Sequence, residues 1–172
     1  MKIFDSVATK LDIREFSDKE VPKDIKLRVL EAARLSSSGI NSQHWRFILV
    51  QSKEGLKKLA EDSTTGKWVA NSNFAVMVLT NPKYNFHLID AGRVAQNMQL
   101  VAWEEGVASC VFTGIKEELL RKDFNIPNDL YPAIVVGFGY PKRKVKGRKN
   151  RKPIDELVFI EKYGNKFDRD KL

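Results

Sequence analysis

Polar and apolar positions change period several times along this chain, and each change marks an element. After Val21-Pro22, apolar residues at Ile25, Val29, Ala32 and Ala33 recur at i, i+4, i+7 and i+8, the stripe of an α-helix that Pro22 opens at its first position. Phe86 to Glu105 carries the longest such stripe, with Ala91, Val94, Ala95, Met98, Val101 and Ala102 at helical spacing and Gly106 placed to cap the end. Shorter helices are predicted for Ile3 to Ala8, where Ile3, Phe4 and Val7 would pack on a neighbouring element, for Lys53 to Glu61 and for Lys116 to Asp123. Between the helices the pattern collapses into runs. Phe74 to Leu79 and Ala133 to Phe138 are unbroken apolar stretches, which predict strands buried on both faces, while Trp45 to Gln51 and Ala108 to Phe112 read as further strands. Helices interleaved with apolar strands, without internal repeats, predict an α/β or α+β fold.

Length and composition narrow this to one domain spanning residues 1–172, since 172 residues with 42% hydrophobic content suffice for one core and fall short of two. One cysteine and two histidines exclude a disulfide framework and a histidine–cysteine metal cage within one chain. No run of about 18 apolar residues occurs, and the N-terminus lacks the order of a signal peptide, so a cytoplasmic protein is expected. The net charge of +8 is local. Lys142 to Lys152 holds eight basic residues and no acidic one, which accounts for all of it. Such a run serves nucleic acid, an anionic ligand or a solvated arm.

Two polar stretches have no role in a core. Ser36 to Gln43 ends a helix and runs into Trp45 and Phe47; its small hydroxyls and Gly39 let backbone approach a flat or anionic ligand, and Asn41 and Gln43 supply amides. A serine-rich helix terminus leading into an ordinary strand reads equally well. Lys10 to Phe16, if extended, places Lys10, Asp12 and Arg14 on one side, which is also the pattern of paired surface charges. Cys110 reads as a small core residue, because nothing nearby in the sequence supplies a base or a cation, and His44 beside Trp45 reads as structural.

Taken together, Lys10-x-Asp12-x-Arg14-x-Phe16, Val21-Pro22, Ser37 to Phe47, Asp90-Ala91-Gly92-x-x-Ala95-Gln96-Asn97, Gly106 to Cys110, and Gly137-x-Gly139-Tyr140-Pro141 with Arg151-Lys152-Pro153 follow an order and spacing that resembles the nitroreductase family of FMN-dependent oxidoreductases nearly end to end. The resemblance implies an α+β fold with a mostly antiparallel central sheet flanked by helices. It also implies a homodimer with FMN in the seam, and ping-pong transfer of electrons from NADH or NADPH to nitro, quinone or other conjugated acceptors. Carried over by residue, it implies that Lys10, Asp12 and Arg14, joined by Lys149 and Arg151, lie at the FMN phosphate. Ser37, Ser38, Gly39 and Asn41 would border the isoalloxazine and ribityl chain, Thr113 and Gly114 would set backbone against the ring from the other side of the seam, and Lys67 would stand near the pyrimidine. No catalytic side chain is expected, because the flavin carries the redox step.

The chain departs from the family pattern at two places. Lys10-Leu11-Asp12 stands where the family usually has Arg-Arg-Ser, and a carboxylate beside a phosphate repels it unless it turns to Lys10 or Arg14. The Pro-Ser and Gln-Pro-Trp of the usual loop become Ser37-Ser38 and Gln43-His44-Trp45. Two other readings remain: a nucleic-acid-binding module using residues 142–152, although that run has no interleaved aromatics to stack on bases, and a flavin-binding protein without NAD(P)H turnover.

Overall fold

The computed structural model describes residues 3–147 and 149–171; Arg148, inside the basic run, lies outside the described residues. Among the described residues, six α-helices and four strands follow one another as α1 (Ile3–Thr9), α2 (Lys23–Arg34), β1 (Arg46–Val50), α3 (Lys53–Glu61), β2 (Phe74–Thr80), α4 (His87–Glu104), β3 (Ala108–Phe112), α5 (Glu117–Asp123), β4 (Tyr131–Gly139) and α6 (Ile154–Leu157). The strands form one antiparallel sheet in the order β1-β2-β4-β3, so the two longest apolar runs of the sequence occupy its centre. Every residue of β2 is buried, as expected of a strand covered on both faces.

The two-residue period of β2 divides the core. Phe74, Val76 and Val78 face α2 and α4, where Val29, Val94 and Met98 complete the cluster, and Phe74 stacks on Phe138 of β4 with ring centroids 4.7 Å apart. Ala75, Met77 and Leu79 face the other way, onto Leu56 and Leu59 of α3 and Val69 of the 3-10 turn Lys67–Asn71. Local chemistry sets the ends of the elements. Ser52 Oγ accepts the Gly55 N–H to cap α3, and Gly106 ends α4 with φ +73°, a left-handed position that glycine adopts without strain.

Two expectations shift. Pro22 is the extended N-cap of α2 (φ −57°, ψ 151°) rather than its first helical residue. On α1, Ile3, Phe4 and Val7 face outward and Ser6 is the buried residue. The helix is docked by polar contacts instead: Trp103 Nε1 of α4 donates to Thr9 Oγ1 at 3.0 Å. Among the described residues no helix is long and apolar enough to cross a membrane.

Candidate functional site

Residues 12–16 form an extended strap against the outer edge of β3. Asp12 bridges Ser109, and the Ile13 N–H donates to the Ser109 carbonyl at 3.1 Å. Backbone bonds from Ser17 N–H to the Tyr140 carbonyl (2.8 Å) and from Lys142 N–H to the Glu15 carbonyl (3.0 Å) lay the start of the basic run beside the strap. The run then returns toward α1, where Lys149 Nζ donates to the Val7 carbonyl and Gly147 passes Leu11. Lys10, Asp12, Arg14 and Lys149 therefore share one neighbourhood. Beside them, a cleft of about 480 Å³ opens between residues 12–15 and residues 141 and 143–146.

Within this cluster the charges are arranged unevenly. Lys10 is buried and ion-paired to the exposed Asp12. Arg14 donates its Nε–H to Cys110 Sγ at 3.4 Å, and that bond, with the electrostatic attraction between the two groups, raises the guanidinium pKa above its ordinary value. Cys110 is buried, as its sequence context predicts, but the expectation that no cation stands near it is corrected: Arg14 supplies one across a separation of 96 residues. Arg151 is exposed and donates to the Asn150 carbonyl; no described contact joins it to Lys10 or Arg14.

The serine loop is held along α4, from Asn97 in its second half to Asp90 near its start. Ser36 Oγ donates to the Ala32 carbonyl and accepts from Asn97 Nδ2, both at 2.9 Å, and Ser38 Oγ accepts the Gln43 N–H at 3.0 Å. Ser37 and Asn41 are exposed, Ser38 and Gly39 half-buried. A Cβ on Gly39 would lie 2.5 Å from the Phe86 ring, so only glycine fits there. The Gly39 N–H donates to Asp90 Oδ2 at 3.0 Å, and His44 Nε2 lies 3.2 Å from the same oxygen. Because His44 Nδ1 accepts the Asn81 N–H at 3.2 Å, the imidazole is neutral with its proton on Nε2. His44 is thus structural.

A third group follows β3. The Thr64 N–H donates to the Gly114 carbonyl at 2.8 Å, Ser63 pairs with Ile115, and a Cβ on Gly114 would meet Thr65 Oγ1 at 2.4 Å. This stitches Thr113 and Gly114 to the loop that carries Lys67. The Lys67 ammonium itself turns to the C-terminal end of α3, 3.5 Å from the Glu61 carbonyl.

Sequence reasoning missed Cys110 as a partner of Arg14, Thr64 and Thr65 as the backing of Gly114, and Asp90 as the anchor of Gly39. Asp90 did leave a signal, since it stands four residues before Val94 on the buried stripe of α4, where an acidic side chain needs partners.

The model of the nitroreductase family matches residues 7–80 and 62–140. This chain belongs to the nitroreductase family. A relative from Archaeoglobus fulgidus is 34% identical over 146 residues, covering 79% of this nitroreductase-family chain and 83% of its own length. Another, from Methanothermobacter thermautotrophicus, is 29% identical over 172 residues, with 95% and 88% covered. Both are provisionally named NADH dehydrogenase/NAD(P)H nitroreductases. Among solved structures, a nitroreductase family protein from Clostridium difficile 630 superposes with a TM-score of 0.85 at 26% identity, covering 94% of this chain and 99% of that one. An FMN-dependent nitroreductase from Clostridium difficile R20291 shares the fold at a TM-score of 0.83 and 24% identity, covering 90% and 96%. The α+β fold expected from the sequence is therefore the nitroreductase fold.

Proposed function

We propose that this nitroreductase-family chain is a cytoplasmic, FMN-dependent oxidoreductase that uses NADH or NADPH to reduce nitro, quinone or other conjugated acceptors. The observation that supports this reading is the strap that lays Lys10, Asp12 and Arg14 along the β3 edge, with Arg14 on Cys110, while the basic run returns beside it and Lys149 reaches the Val7 carbonyl of α1. A phosphate monoester carries nearly two negative charges and is matched by several lysines and arginines, with arginine able to bind it bidentately. The residues present fit such a group. Arg14 engages a thiol through Nε rather than a carboxylate, and Asp12 is turned onto Lys10, the arrangement that keeps its charge from facing a phosphate alone.

In this reading Lys10, Arg14 and Lys149, with Arg151, hold the phosphate, and Asp12 sets Lys10. Ser37, Ser38, Gly39 and Asn41 border the ring and ribityl chain, Thr113 and Gly114 present backbone to the ring, and Lys67 serves the pyrimidine end. When bound, FMN would supply the redox chemistry, taking electrons from the nicotinamide nucleotide and giving them to the acceptor in a ping-pong exchange. The chain's own residues bind, orient and keep water away, so none is assigned as acid, base or nucleophile. Asp90, which anchors the serine loop, and Gln99, which donates to Ser109 beside the strap, stand about 13 Å apart along the axis of α4. The reading includes a homodimer with FMN at its interface. The names of the archaeal relatives support NAD(P)H as donor, and that of one structural neighbour supports FMN.

The test is a visible absorption spectrum of the purified protein, incubated with FMN and then freed of unbound flavin, before and after anaerobic addition of NADH and of NADPH. Flavin bands that bleach are expected, and the nucleotide that bleaches them identifies the donor. Bands that persist with both nucleotides would remove the donor chemistry. A protein that stays colourless would overturn the flavin reading and turn attention to nucleic-acid binding by residues 142–152.

A further inference from the structure

The flavin reading does not by itself explain the buried carboxylate of Asp90. Asp90, in the first turn of α4, is 0% exposed, and a carboxylate so placed is tolerated only when its oxygens are met by donors. Oδ1 accepts from Arg93 Nη1 at 3.2 Å, and Oδ2 accepts from His44 Nε2 and from the Gly39 N–H. His44 cannot give up the Nε2 proton to its other nitrogen, because Nδ1 is taken by the Asn81 N–H. The imidazole, set among Trp45, Tyr84 and Phe86, is therefore a fixed spacer between the end of β2 and the start of α4, and the carboxylate it aims reaches the serine loop at the Gly39 amide.

That amide precedes a run of unusual backbone. Ile40 (φ 47°), Asn41 (φ 53°) and Gln43 (φ 44°) are all left-handed, and a β-branched residue such as Ile40 resists this region. Ile40 is 85% exposed, so burial of its side chain does not hold it there. The restraint comes from the backbone anchors: Asp90 on the Gly39 N–H, Ser38 Oγ on the Gln43 N–H, and the Phe86 ring packed where a Gly39 side chain would be. A loop kept in a shape its own sequence disfavours is preorganised for a ligand.

We infer that Asp90 is a positioning residue whose carboxylate, aimed by neutral His44, clamps the Gly39 amide and so fixes the loop carrying Ser37, Ser38 and Asn41 in the form that receives the flavin. This rests on the flavin reading for its ligand, but the clamp itself can be read without one. In flavin-free protein, amide hydrogen exchange from Gly39 to Gln43 should be faster in Asp90→Ala than in wild type, and Asp90→Asn, which keeps an acceptor oxygen for the Gly39 N–H, should restore much of the protection. Unchanged exchange in Asp90→Ala overturns the inference.

FMN titration of the same proteins reads the link to the site. Asp90→Ala should weaken binding by about tenfold or more, the effect of losing a charge-assisted hydrogen bond. Gly39→Ala reaches the same loop by an independent route, since its methyl must push the backbone off Phe86. It should weaken FMN comparably, and Phe86→Ala in the same chain should give the affinity back. If Asp90→Ala fails to fold, this second pair decides: Gly39→Ala with wild-type exchange and wild-type FMN affinity also overturns the inference. A wild-type protein that takes no FMN while the exchange results hold would remove the flavin reading and leave the clamp standing.

Discussion

Two buried carboxylates show how partners decide what burial does. Asp90 meets three donors, whereas Asp62, at the C-terminal end of α3 and 4% exposed, leaves Oδ2 without a partner among the described residues. Desolvation raises the Asp62 pKa above its ordinary 3.8, and the charge of Asp123 adds to the rise while Lys116 and Lys58 oppose it. A carboxyl whose pKa is higher in the folded than in the unfolded state contributes its full stability below the unfolded value, and that contribution is lost as pH rises through the folded one. Asp62→Asn should therefore raise Tm at pH 7, and the gain should disappear as pH falls to about 3.8. A Tm difference that is the same at both pH values would contradict the assignment. Residue partnerships of this kind were poorly legible in the sequence. His44 could be read as structural from its neighbour Trp45, but its partner Asp90, and the pairing of Cys110 with Arg14, depend on how α4, the strap and β3 pack.

At the scale of elements, what the pattern of apolar residues decides was readable and what it leaves open was not. β2, β4 and α4 were legible because an unbroken run or a wide helical stripe fixes both the element and its burial. The stripe of α1 was legible as apolar, yet nothing in it says that Ile3 and Phe4 face away from their own core. The strap was legible only as alternating charge, since its two-residue period gave the common side of Lys10, Asp12 and Arg14 but not the β3 edge that receives them. Strap and basic run now act as one unit, and the phosphate assignment is tested on both. Arg14→Ala, in the strap, and Arg151→Ala, in the run, should each weaken FMN binding by roughly tenfold or more if a charge-assisted bond is lost. Dissociation constants unchanged in both variants would refute that assignment.

The whole molecule exposes more surface than a self-contained chain of its mass. Its accessible area is 11115 Å², whereas a folded monomer of 19.7 kDa is expected to show about 8,600 Å². The excess coincides with exposed apolar side chains on α1, at Leu35 after α2, and along the C-terminal segment at Leu157 and Tyr163. This supports the proposed homodimer, which the sequence suggested through family resemblance and through the length and small residues of the Phe86 to Glu105 helix, while no periodicity distinguishes a face covered by the same chain from one covered by a copy. Sedimentation of the FMN-loaded protein should give a species of twice the chain mass. A monomer with full flavin affinity would rule the shared site out.

The cation cluster also has an order of arrival. Lys10 and Arg14 belong to the beginning of the chain, but Lys149 follows the last strand, and the segment that brings it home is aligned by the Lys142 and Ser17 backbone bonds only once β4 is in place. During synthesis, when domains fold from their N-terminal side as they emerge, the sheet and both halves of the core can therefore form before the cation cluster is complete. A nascent chain halted short of residue 149 would carry the four strands of the described sheet and lack Lys149, so the cluster that the flavin reading assigns to the phosphate is completed only after the sheet.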